Sequence, residues 1–101
     1  MSSKFVAPKS LVIGGRKVKV VMKDELKADD GEEAFGLFSD GLIEISRGTP
    51  QDEMVATLLH ECIHAALSVS GVGGLLSDQQ EEAVCRAVEL IAPNIYFKSK
   101  K

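Results

Sequence analysis

Two histidines and a glutamate stand together in His60-Glu61-Cys62-Ile63-His64, and these are the only two histidines in the chain. On an α-helix, residues four apart project from one face about 6 Å apart along the axis, so His60 and His64 can converge on a single cation. Glu61 follows His60 directly and tilts toward the same side, where a carboxylate can take a proton from a water held by that cation. Chance explains the spacing poorly. Only about 2% of random placements of two histidines in a chain of 101 residues put them four apart, and requiring a Glu after the first cuts this to roughly 0.2%. The donors are nitrogen and oxygen, which suits zinc: imidazole binds it at about 2.0–2.1 Å, and hydrolytic centres use three protein ligands and leave a fourth place for water. Metal and carboxylate together make a nucleophile fit to attack an amide carbonyl.

The helix that must carry these residues has clear signals. Thr49 is a candidate cap, Pro50 suits the first helical position, and Asp52 and Glu53 fall in the positive first turn, so a helix is expected from Pro50 to about Val69. At 100° per residue, Val55, Leu58, Leu59, Cys62 and Ala66 form an apolar stripe, while Thr57, His60, Glu61, His64 and Ser68 share the other side. Cys62 therefore points away from the histidines. Ser70-Gly71-Val72-Gly73-Gly74 ends the helix. A second one starts at Ser77, where Ser77 and Gln80 form a capping box, and it stops at Pro93. Its apolar set Val84, Ala87, Val88 and Ile91 marks the expected buried face.

Ahead of the helices, Ser10 to Ile13 and Arg16 to Met22 read as strands joined by Gly14-Gly15, and Ala34 to Phe38 and Leu42 to Ser46 as strands around a three-residue turn Ser39-Asp40-Gly41. The charged stretch Lys23 to Glu33 reads as a short helix or loop. The fold class is α+β: a small antiparallel sheet of three to four strands followed by two packed helices. One domain spans 1–101, with residues 1–9 and 98–101 expected as flexible ends.

A net charge of −3, with a basic concentration only at Lys98, Lys100 and Lys101, offers no general attraction to phosphate backbones, so no nucleic-acid partner is expected. No apolar run reaches signal-peptide or membrane-span length, so a cytoplasmic protein without a membrane partner is expected. Cys62 and Cys85, on different helices without a Cys-x-x-Cys pair, read as packed thiols. Arg86 and Tyr96 read as surface or packing residues.

With TLLHECIHAAL in a capped helix, GLFSDGLIEIS before it and SDQQEEAVCRAVELIAP after it, residues 34 to 93 resemble a minimal zincin metallopeptidase. The nearest likeness is to the small phage- and prophage-encoded zinc peptidase-like proteins, and more loosely to the ImmA/IrrE family and compact gluzincin cores. The resemblance implies a zinc-dependent peptidase, with an extended peptide or protein substrate docked along Leu42 to Ser46. It implies a glutamate of the second helix as third zinc ligand beside His60 and His64, since the third histidine of metzincins has no counterpart here. Glu81 and Glu82 compete for that role. Glu81 falls about 60° from the apolar direction of the second helix and Glu82 about 160°, so Glu81 is the expected ligand. The other ring nitrogen of each histidine should meet Thr57, Ser68 or a backbone carbonyl. A zinc-binding interaction module without catalysis is the alternative.

Overall fold

The computed structural model describes residues 6–90. It contains four strands, β1 (Ser10–Ile13), β2 (Arg16–Lys23), β3 (Gly36–Ser39) and β4 (Leu42–Ser46), then two helices, α1 (Met54–Ser70) and α2 (Asp78–Glu89). Short 3-10 turns at Gln51–Glu53 and Val72–Leu75 precede the helices. The class is α+β, a four-stranded sheet followed by two packed helices.

The sheet is mixed, where an antiparallel one is expected from the two hairpin signals. Its order is β1-β2-β4-β3: the hairpins β1/β2 and β3/β4 are antiparallel, but β4 lies parallel beside β2. The cause is the stretch between Lys23 and Gly36. A parallel neighbour needs a crossover of about a dozen residues or more. This segment, a loop with Leu26 buried and a bridge between Lys27 and Glu33, carries the chain past the position of β4. β3 is then laid at the outer edge, and β4 folds back into the gap. Ser39 pairs with Leu42, so Asp40-Gly41 alone make the second turn.

Val18 and Val20 of β2 and Ile43 and Ile45 of β4 point to one face, where they form the core with Met54 and Leu58 of α1. The period-2 alternation in β2 produces this face, since Lys17 and Lys19 go to the other side. α1 begins at Met54 rather than Pro50. Thr49 is buried and makes no cap; its hydroxyl donates to the carbonyl of Phe35 at 3.4 Å. The capping box of α2 is present, with Ser77 Oγ accepting from the Gln80 amide and Gln80 Oε1 from the Ser77 amide.

The inward face of α2 differs from its apolar stripe. Cys85 is fully buried and Glu81, Glu82 and Glu89 are half-buried, whereas Val84 and Val88 are each 38% exposed and Ala87 is exposed. Ile91, the last member of the expected apolar set, Pro93, Tyr96 and the tail 98–101 lie outside the described residues. Among the described residues no helix is long and apolar enough to cross a membrane.

Candidate metal centre

α1 is covered from two sides, by the sheet and by α2, and its buried row is Met54, Leu58, Glu61 and Ala65. That row is i, i+4, i+7, i+11, so a carboxylate occupies a place where an apolar residue would serve packing. Glu61 is 7% exposed. His60 and His64 flank it, their ring centroids 5.0 Å apart and their side chains 15% and 17% exposed.

α2 runs antiparallel to α1, so that Glu81 meets His64 and Glu89 meets His60, with Glu82 between them. The Glu82 carboxylate spans the two rings: Oε1 is 2.7 Å from His60 Nε2, and Oε2 is 3.2 Å from His64 Nε2. The Nδ1 atoms face outward from this point and meet other carboxylates, His60 with Glu89 Oε1 at 2.5 Å and His64 with Glu81 Oε2 at 2.5 Å. Glu81, the expected third ligand, thus sits at the far side of His64, and the carboxylate set between both Nε2 atoms belongs to Glu82. Thr57 and Ser68 do not take the Nδ1 positions. Carboxylates take them.

Cys85, one turn beyond Glu82, completes the cluster. One ring nitrogen each of His60 and His64 and the Cys85 sulfur lie within 4.8 Å of one another, so these three residues could bind a metal ion. The donor set fits such an ion: two imidazoles offering the same nitrogen, a carboxylate against both, and a soft sulfur beneath. Cys62 is on the core side, packed against the sheet cluster. Arg86 is exposed.

Electrostatics follow from four carboxylates around two imidazoles. Burial alone would lower the His60 pKa, but the hydrogen bond its ring donates to Glu89 and the charges of Glu82, Glu61 and Glu89 raise it above its ordinary value. Burial raises the Glu61 carboxyl, with help from Glu82 and Glu89, against the lowering effect of His60 and His64. Burial and the neighbouring carboxylates push the Cys85 thiol up to about 11, and burial with Glu61 does the same for Cys62, to about 11.

The cluster opens on a cleft of about 370 Å³ lined by Gly36, Leu37 and Phe38 of β3 together with His60, Glu61, His64, Glu81 and Glu82. The edge that meets this cleft is β3. β4 is interior, with β2 and β3 occupying both of its hydrogen-bonding sides, so the segment Leu42–Ser46 has no side free to pair with a peptide. Gly36 allows the edge to come this close: a Cβ there would stand 2.9 Å from Thr57 Cγ2, 3.0 Å from Glu61 Cγ and 3.1 Å from Glu61 Oε2.

Comparisons with protein-family models, with curated proteins and with solved structures found no match.

The apolar stripe of α2 points away from the cluster, so it ranked Glu82 behind Glu81 and gave no part to Glu89 or Cys85. A signal was present in the spacing: Glu82, Cys85 and Glu89 are i, i+3 and i+7, three groups on one helix face that can bind metal or hold an imidazole.

Proposed function

We propose that this chain is a zinc-dependent metallopeptidase in which His60, His64 and Glu82 hold the metal and Glu61 is the general base. The observation that carries the reading is the Glu82 carboxylate lying against the Nε2 atoms of both histidines, with Glu61 buried on the wall of the same open cleft. A zinc ion held by these residues would supply Lewis acidity toward a carbonyl oxygen and lower the pKa of water. Glu61 takes a proton from the attacking water and delivers it to the departing amine nitrogen, a role suited to a carboxyl raised toward neutrality by burial. Glu82 rather than Glu81 is the ligand because a carboxylate bound to the same ion must lie on the Nε2 side of both imidazoles, where Glu82 is and Glu81 is not. A peptide in extended form would lie along the free edge of β3, whose backbone borders the cleft.

Cys85 supports a second reading. With its sulfur as a fourth donor the site would close, and the chain would be a zinc-binding interaction module without catalysis. Zinc content and hydrolysis of denatured casein and peptide libraries, read by mass spectrometry, separate the two. For the peptidase, the parent takes up one zinc and cleaves, Glu61→Gln keeps zinc and fold but loses about 10²–10⁴-fold in rate, and Cys85→Ser retains both metal and cleavage. Undiminished cleavage by Glu61→Gln refutes the mechanism, and absence of zinc uptake refutes both readings. Zinc without cleavage, with a large loss of affinity in Cys85→Ser, selects the closed site.

A further inference from the structure

We infer that Glu81 and Glu89 are positioning residues, each fixing one imidazole with its Nε2 toward the metal, and that Gly73 is the stop that keeps Glu81 in place. The inference rests on the metal-site reading above and goes beyond it to residues that need not touch the ion. Each ring is gripped at both ends: Glu82 faces both Nε2 atoms, while Glu89 and Glu81 each hold one Nδ1 at 2.5 Å. A neutral imidazole can present a lone pair at Nε2 only if its proton is on Nδ1. A carboxylate accepting that N–H therefore selects the ligating tautomer and opposes a ring flip. The arrangement is doubled and comes entirely from α2, with Glu81 and Glu82, adjacent in sequence, taking opposite ends of His64.

Glu81 has a further constraint. Its Oε2 is on His64, and a Cβ built at Gly73 would stand 3.0 Å from its other oxygen, Oε1, and 3.4 Å from the carbonyl oxygen of Leu67 on α1. The turn Val72–Leu75 thus closes against the carboxylate, and a Cβ at 73 would crowd it. A methyl group at 73 has the α1 backbone on one side, so it is the carboxylate that must give, by a few tenths of an ångström, which loosens its hold on His64. Gly73 acts on the metal without contacting it.

The test measures zinc affinity of the full chain by competition with a chromophoric chelator and the ring tautomers by ¹⁵N-histidine NMR. Variants are Glu81→Gln, Glu89→Gln, Gly73→Ala, the double variant Gly73→Ala/Glu81→Gln, and Glu25→Gln, an exposed carboxylate paired with Lys27, as control. Circular dichroism checks that each is folded. Glu81→Gln and Glu89→Gln are each expected to weaken zinc binding about 10–100-fold and to lose the single tautomer at His64 and His60 respectively. Gly73→Ala should weaken binding and disturb only His64, and should add little once Glu81 is replaced. Affinities within twofold of the parent for both glutamate variants, unchanged tautomers, or full additivity of Gly73→Ala with Glu81→Gln would overturn the inference while zinc binding by the parent stands. A parent that binds no zinc removes the metal-site reading itself and this inference with it. Glu81→Asp in place of Gln supplies a charge-retaining check: partial recovery of affinity is expected, and none would count against a positioning role.

Discussion

Replacing Gly36 by Ala tests the closeness of β3 to α1 without any assumption about metal or activity. The added Cβ would lie 2.9 Å from Thr57 Cγ2, 3.0 Å from Glu61 Cγ and 3.1 Å from Glu61 Oε2, where carbon atoms in contact prefer about 3.5–4.0 Å. Glu61 cannot move out of the way at small cost, because it is buried between the sheet and α2. Overpacking of this kind costs about 1–3 kcal/mol. The φ of Gly36 is not in the left-handed region, so Ala suffers no backbone strain, and its smaller unfolded-state freedom offsets about 0.4–1 kcal/mol. The midpoints of the two ranges, about 2 less about 0.7, leave a net loss of about 1.3 kcal/mol, and at about 4–8 °C per kcal/mol for a domain of this size the melting temperature falls by several degrees. Urea and thermal denaturation followed by circular dichroism give the value. Thr57→Ser deletes the nearest atom, so in a double-mutant cycle it should recover part of the loss, with a coupling of at least about 0.5 kcal/mol. A Gly36→Ala protein as stable as the parent, or strict additivity with Thr57→Ser, would refute the packing argument.

Ile43→Ala removes a fully buried side chain from the strand at the centre of the core and should cost about 2–5 kcal/mol, measured by urea denaturation. Ser77→Ala removes the Oγ that accepts from the Gln80 amide at the start of α2, leaving the backbone half of the capping box, and should cost about 0.5–2 kcal/mol, with amide exchange faster in the first turn of that helix than in α1. Zinc at 100 times its dissociation constant should stabilise the protein by about 2.7 kcal/mol, with added protection from hydrogen exchange concentrated in α1 and α2 rather than in β1, which is far from the site in the sheet order. A rise in protection confined to the strands would contradict the placement of the metal.

The parts of this structure written in local chemistry are legible in the sequence. His60, Glu61 and His64 share the cleft side of α1 as their spacing requires, the hairpin glycines turn where expected, and Ser77 and Gln80 cap α2 reciprocally. Pairing between β2 and β4 was not legible. Parallel or antiparallel neighbours are decided by where the segment between Lys23 and Gly36 delivers the chain, and that path depends on tertiary packing around Leu26 rather than on any period. The same displacement of β3 to the edge transfers the cleft border from Leu42–Ser46 to Gly36, Leu37 and Phe38.

The misreading of α2 has a different cause, and it bears on the function. Apolar periodicity locates a buried face only when burial is driven by apolar surface. Here Val84 and Val88 remain partly in solvent while Glu81, Glu82 and Glu89 turn inward with Cys85. Three carboxylates on α2 and Glu61 on α1 repel one another, and taking them from water is costly unless a cation or hydrogen-bond donors meet them. The two imidazoles are the donors present, and each nitrogen has a carboxylate partner. Even with both rings as imidazolium cations the histidines supply two positive charges against four negative ones, and as neutral rings they supply none, so the cluster keeps an excess of negative charge that a divalent cation would offset. An inside-out helix is therefore what a metal centre between α1 and α2 would require, and the rule that failed on α2 failed at the site where packing yields to chemistry.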